Sequence, residues 1–201
     1  AGSGGGCNLL YPEGLDGESI TFYTNDALNP YVVPAGKRLY VLSGNNLIFD
    51  DGLDGVYVDI TEGKPGIFNE GDEIWMDNPN SPHSNGILVD ASPNLTAISI
   101  YSDPSNQYQV PSGKRLYVMS GGNLMLGDVE VDVTTSKPAV FNAGALIYTT
   151  QTGDAFNGYL VDEDYFADCS GGGGSTTNDI SNDGISLSMS SWDQWEYIYD
   201  K

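Results

Sequence analysis

Apolar and polar residues alternate in several short stretches of this chain. KRLYVLSG (37–44), VYVDIT (56–61), DEIWM (72–76) and ILVD (87–90) have the pattern of β-strands that turn every second residue inward. The stretches are brief, and Gly, Pro, Asn and Asp separate them at the interval typical of antiparallel sandwiches. Scarcely any window carries helical periodicity. The pattern predicts an all-β fold.

The pattern also repeats. VPAGKRLYVLSG (33–44) returns as VPSGKRLYVMSG (110–121), VYVDITEGKPGIFNEG (56–71) as VEVDVTTSKPAVFNAG (129–144), and NGILVD (85–90) as NGYLVD (157–162). Upstream, ITFYTND (20–26) answers ISIYSD (98–103). Similarity at a nearly constant period signals one structural unit used twice. The chain therefore divides into a Gly-rich N-terminal segment with a short strand (1–18), two tandem antiparallel β-sandwich, jelly-roll-like units (19–96 and 97–168), a Gly/Ser/Asn/Asp linker (169–184) and a C-terminal extension strand (185–201). In V-P-A-G and V-P-S-G, proline at the second and glycine at the fourth position suit a type I turn. Pro65 and Pro138 each mark an edge strand or a strand start, because proline has no N–H to give to a central ladder.

The last segment, ISLSMSSWDQWEYIYDK, opens like a third unit: Ile185, Leu187 and Met189 alternate with serines as Ile98 and Ile100 alternate with polar neighbours. Trp192, Trp195, Tyr197, Ile198 and Tyr199 follow. Left in water, such a strand exposes an apolar patch and a row of unpaired backbone groups. It either folds back on its own chain or adds to the sheet of a neighbouring molecule. Ile185, Leu187, Met189, Trp192, Trp195, Tyr197 and Tyr199 are thus the candidate subunit interface, with copies of the same chain as partners.

Composition narrows the function classes. Seven Lys plus Arg against 28 Asp plus Glu give a formal charge of −21, which repels phosphate backbones and anionic lipid and argues against nucleic-acid and membrane partners. No run approaches the length of a membrane-spanning helix, and a start at Ala1 without Met suggests a trimmed or processed end. Six of the seven cations, Lys37, Arg38, Lys64, Lys114, Arg115 and Lys137, occupy equivalent places in the two repeats. They either meet specific carboxylates, within a unit or across a subunit contact, or form ordinary surface pairs of small value. Cys7 and Cys169 are the two cysteines, one beside each glycine run, and in an oxidising compartment they are disulfide candidates, within or between chains.

Signals for catalysis are thin. The one histidine, His83, lies in NPNSPHSNG, and any His-based relay would have to be built on it. Gly-Lys in PAGKR and PSGKR is followed by Arg and a strand, not the Ser/Thr and helix of a phosphate loop. Asp50, Asp51 and Asp54 in DDGLDG are the weak candidates for a metal, with Ca²⁺ the natural cation for oxygen-rich turns. Further acidic turns (Glu13, Asp16, Glu18; Asp162, Glu163, Asp164; Asp179, Asp183) are so common that no glycosidase pair can be singled out. Trp75, Trp192 and Trp195 suit either sugar stacking or a core or interface. Asn94-Leu95-Thr96 is a glycosylation sequon, and the repeated Lys, Asp and Asn positions leave a Lys–Asn/Asp isopeptide cross-link open.

VPAGKRLYV, VDIT…KPGIFNEGD and NGILVD together resemble the small β-sandwich or jelly-roll repeats of secreted bacterial surface proteins and of phage fibre and tail proteins. The resemblance spans Ile20 to Asp168 and implies extracellular, oligomeric, non-enzymatic material on a cell or virion surface. The expectation is a structural subunit of a filament that assembles through its C-terminal strand, without a cofactor apart from a structural Ca²⁺. The alternative is a receptor- or glycan-binding fibre or adhesin module.

Overall fold

The computed structural model describes residues 7–24, 28–44, 47–49, 56–58, 64–76, 83–121, 123–133, 137–150, 155–167 and 169. The first run of strands is β1 (Glu18–Phe22), β2 (Tyr31–Val32), β3 (Lys37–Ser43), β4 (Leu47–Phe49), β5 (Val56–Val58), β6 (Gly66–Phe68), β7 (Glu73–Met76) and β8 (Ser84–Asp90). The second is β9 (Leu95–Tyr101), β10 (Tyr108–Gln109), β11 (Lys114–Ser120), β12 (Leu124–Leu126), β13 (Val129–Val131), β14 (Ala139–Phe141), β15 (Leu146–Thr149) and β16 (Ala155–Asp162). The all-β expectation holds, and the described residues form antiparallel sheets throughout.

Strand order shows what the repeat encodes. The first run forms sheets β1-β8-β3-β6 and β2-β7-β4-β5; the second forms β9-β16-β11-β14 and β10-β15-β12-β13. Within each run the first strand pairs with the last, the second with the seventh, the third with the sixth and the fourth with the fifth. These are the pairings of one long hairpin, and the added pairs β8–β3 and β7–β4 (β16–β11 and β15–β12) roll it up. The result is the eight-stranded jelly roll, present twice.

Two repeated motifs have their local reasons. In VPAGK, the Lys37 N–H donates to the Pro34 carbonyl at 3.1 Å, and Lys114 does the same to Pro111 at 3.1 Å. The turn thus begins at the proline, one residue later than the type I reading requires, and its third residue is Gly36 (φ 72°) or Gly113 (φ 74°). A positive φ at the third position belongs to a type II turn and favours glycine. In N-G-x-L-V-D the glycine has a different cause. A Cβ on Gly86 or Gly158 would meet the carbonyl of Tyr40 or Tyr117 on the neighbouring strand, where the β3–β8 and β11–β16 registers shift. Pro65 and Pro138 stand just before β6 and β14, each at the end of its sheet.

Three cores follow from the alternation. Leu39 and Val41 of β3 join Phe22, Leu47, Phe68, Ile74, Met76 and Leu88 inside the first roll. Leu116 and Val118 of β11 join Leu124, Phe141, Ile147 and Phe156 inside the second. The intervening residues are not solvated. Tyr40, Ile67, Val89, Leu95, Ala97, Tyr117, Met119, Tyr159 and Val161 form a third core, where the outer face of sheet β1-β8-β3-β6 meets that of β9-β16-β11-β14. Burying a large apolar side chain is worth about 1.5–3 kcal/mol, so this middle core makes the contact between the rolls a substantial one.

Candidate functional site

The polar side chains with the most elaborate surroundings lie along the seam between the rolls. Arg38, 3% exposed, follows Lys37 on β3, so it points to the seam while Leu39 points inward. Its Nε donates to Glu13 Oε2 at 2.7 Å, Nη1 to Asn69 Oδ1 at 2.7 Å, and Nη2 to the carbonyls of Ser92 (3.1 Å) and Leu95 (2.6 Å). Glu13 also accepts the Tyr40 hydroxyl at 2.9 Å and the Ser92 N–H at 2.5 Å. A buried charge is tolerated only when paired and hydrogen-bonded in this way.

Two asparagines then join the rolls through backbone. Asn69 Nδ2 donates to the Ala97 carbonyl at 2.8 Å, and its Oδ1 accepts the Ala97 N–H at 2.9 Å. Asn157, fully buried, does the same to Ile67, donating to its carbonyl and accepting its N–H, both at 2.8 Å. Each carboxamide acts as a missing peptide unit on the outer edge of a terminal strand, β9 in one case and β6 in the other. Lys64, also buried, donates from Nζ to the Val133 carbonyl in the second roll. Burial lowers its amine to about 8.

The seam is not symmetric. Met119 is buried whereas its counterpart Leu42 is 37% exposed, and Lys64 is buried whereas Lys137 is exposed. Asn85, the counterpart of Asn157, donates to Ile20 and Thr21 of its own sheet, as Asn157 does to Ile98 and Ser99, so the bonds to Ile67 are what Asn157 adds. The N-terminal segment supplies what the repeat does not. Leu10 and Tyr11 pack on the middle core with Tyr165 and Phe166, the Leu9 carbonyl accepts the Tyr159 hydroxyl at 2.8 Å, and Cys7 is bonded to Cys169 of the same chain, with Cα atoms 5.3 Å apart.

Of the other cations, Lys37 pairs with Asp90 at 2.7 Å and Lys114 with Asp162 at 2.6 Å, equivalent exposed pairs. Arg115 Nε donates to Asn142 Oδ1 at 3.2 Å. The repeated cations thus divide: one exposed ion pair per roll, and one arginine per roll bonded to the asparagine after the sixth strand. Asp72, whose N–H-bonded turn begins at Asn69, is raised by burial from 3.8 to about 6.

The remaining candidates stay apart from one another. His83 is exposed, its ring 5.2 Å from that of Tyr23. Ser102 and Ser120 bury hydroxyls that have no hydrogen-bond partner among the described residues, but neither is within bonding reach of a base that would activate it. Trp75, half-buried, alternates with the inward Ile74 and Met76 and so lies on the outer face of β7, opposite Ile48. Asn94 of the sequon is exposed in the β8–β9 turn. Among the described residues no group of three or more His, Cys, Asp or Glu could hold a metal ion. Asp50, Asp51, Asp54, and the interface candidates Ile185, Leu187, Met189, Trp192, Trp195, Tyr197 and Tyr199 lie outside the described residues. Glu13, Asn69 and Asn157 were missed as site residues by sequence reasoning, although Phe-Asn and Asn-Gly recur in both repeats.

No protein-family model matches the chain, and no curated protein does. Among solved structures, a cupin 2 conserved barrel domain protein from Leptotrichia buccalis is similar at 14% identity and a TM-score of 0.28, over 73% of this chain and 78% of that one. The assignment of the fold rests on the strand pairings themselves.

Proposed function

We propose that this chain is a structural subunit of an extracellular filament, a non-catalytic building block that joins copies of itself through residues 184–201. One observation carries the reading. Both jelly rolls have all eight strands between Glu18 and Asp162, so the alternating, aromatic segment 185–201 is surplus to the strand complement of either. A surplus alternating segment beyond a Gly-rich stretch suits addition to a second copy, and such a head-to-tail contact yields a polymer where its rotation closes no ring.

The edges of the two facing sheets favour one acceptor. The β6 edge is bridged at Ile67 and the β9 edge at Ala97 by asparagine side chains. Of the two other ends, β1 has five residues and β14 three, and β1 gives an incoming strand the longer ladder. The Cys7–Cys169 link supports an oxidising, extracellular setting. Deleting residues 184–201 tests the reading by electron microscopy: discrete folded particles are expected, and filaments that persist unchanged overturn it.

Trp75 favours a second reading. It stands on the outer face of β7 beside Ile48, an arrangement that suits stacking on a sugar ring. Glycan-array binding that disappears in Trp75→Ala, with no polymer at any concentration, would place the adhesin reading first.

A further inference from the structure

The two rolls offer an internal comparison at the VPxGK corner. Their backbones match there bond for bond. In the first roll the Val33 N–H donates to the Asp72 carbonyl at 3.0 Å, the Gly71 N–H to Val33 at 2.9 Å and the Lys37 N–H to Pro34 at 3.1 Å. In the second, Val110 donates to Ala145 at 2.9 Å, Gly144 to Val110 at 2.9 Å and Lys114 to Pro111 at 3.1 Å. The glycine dihedrals agree as well: φ is 72° and 80° at Gly36 and Gly71, and 74° and 83° at Gly113 and Gly144.

The side chains differ, and all in one direction. In the first roll Glu70 reaches across the corner and its Oε2 accepts the Gly36 N–H at 2.5 Å. Its counterpart in the second roll is Ala143, so the backbone that holds the carboxylate is kept while the carboxylate is gone. Beside Ala143 is an open cleft of about 340 Å³ lined by Gln109, Val110, Pro111, Ser112, Ala143 and Gly144, and Gly113 directly follows the lining residue Ser112. Ser112 stands where the first roll has Ala35, and Gln109 where it has Val32, which adds a hydroxyl and an amide donor to the lining. None of the six lining residues carries a charge, so nothing in the cleft itself repels an anion despite the acidity of the whole chain.

We propose that this corner of the second roll is a carboxylate-binding site, with the Gly113 N–H as the donor that Gly36 gives to Glu70, and with Ser112 and Gln109 as added donors. The ligand is a carboxylate group borne either by a small organic acid or by an acidic side chain of a polypeptide. Hydrogen bonds from neutral donors to an ionised acceptor are stronger than neutral pairs, and the turn holds this donor in position before the ligand arrives. Binding at this corner does not require a filament.

Amide NMR of the full chain, titrated with acetate and separately with an N-acetyl-glutamate peptide, tests the site. The expected result is a saturable downfield shift of the Gly113 amide. Ala143→Glu, which rebuilds the occupant of the first roll, should weaken binding at least about tenfold, the loss expected when one charge-assisted hydrogen bond is pre-empted. The unliganded variant should show the Gly113 amide already shifted toward the position of Gly36, with distant amides unmoved. Glu70→Ala should make the Gly36 amide respond to acetate in turn. Tighter binding of the peptide than of acetate identifies a polypeptide source, and equal binding a free acid. A Gly113 amide indifferent to both probes, or a response that survives in Ala143→Glu, overturns the proposal.

Discussion

Glu13 and Arg38 are buried together, each with a side chain only a few per cent exposed, and removing either leaves the other charged without its partner. Glu13→Ala should therefore lower stability by about 3–5 kcal/mol, measured as a shift in the urea midpoint. Lys37→Ala, which breaks an exposed pair, should leave it nearly unchanged. Asp72 gives a pH test. Its folded value, about 6, lies above the ordinary 3.8, so between these values the folded chain holds a proton that the unfolded chain has released. On this account stability is full below pH 3.8 and falls as pH rises through 6. Asp72→Asn should flatten that slope and raise stability at neutral pH by on the order of 1 kcal/mol, allowing for solvent screening. The repeat marked Lys37 and Arg38 as cations in want of carboxylates, but not which carboxylates they meet or which pair is buried. Glu13 is one acid among 28, and nothing local tells a buried carboxylate from a solvated one.

The strands were legible because alternation is local. KRLYVLSG and its repeat read as strands and are strands, and two copies of one pattern gave two copies of one topology. The other face of those strands was not legible: Tyr40, Tyr117 and Tyr159 are amphipathic side chains that suit water or a core, and only the packing of one roll on the other buries them. The turn was misread by one residue because Pro-x-Gly fits two turn types, which differ in the sign of φ at the third position. Between elements, the Asn157 bridge should weigh more than its counterpart. Asn157→Ala leaves the Ile67 N–H and carbonyl without their partner across the seam, at about 2–3 kcal/mol, whereas Asn85→Ala loses bonds within one sheet, at about 1 kcal/mol. Chemical denaturation gives the ranking, and hydrogen exchange should show the Ile67 amide deprotected only in Asn157→Ala.

At the scale of the molecule, the described residues form a pair of jelly rolls joined by a middle core and closed by a link between residues 162 positions apart. Joining such distant points limits the unfolded chain, so reduction should lower stability by about 2–5 kcal/mol, read as a drop in melting temperature that Cys7→Ser reproduces. The proposed filament assigns residues 184–201 to a neighbouring copy, since both rolls already have their eight strands. Sedimentation velocity of the intact chain, with and without excess free peptide 184–201, tests that claim most directly. Species that grow with concentration without reaching a closed size, and that fall back to monomer when the peptide is added, are what the account predicts. A single monomeric species at every concentration contradicts it.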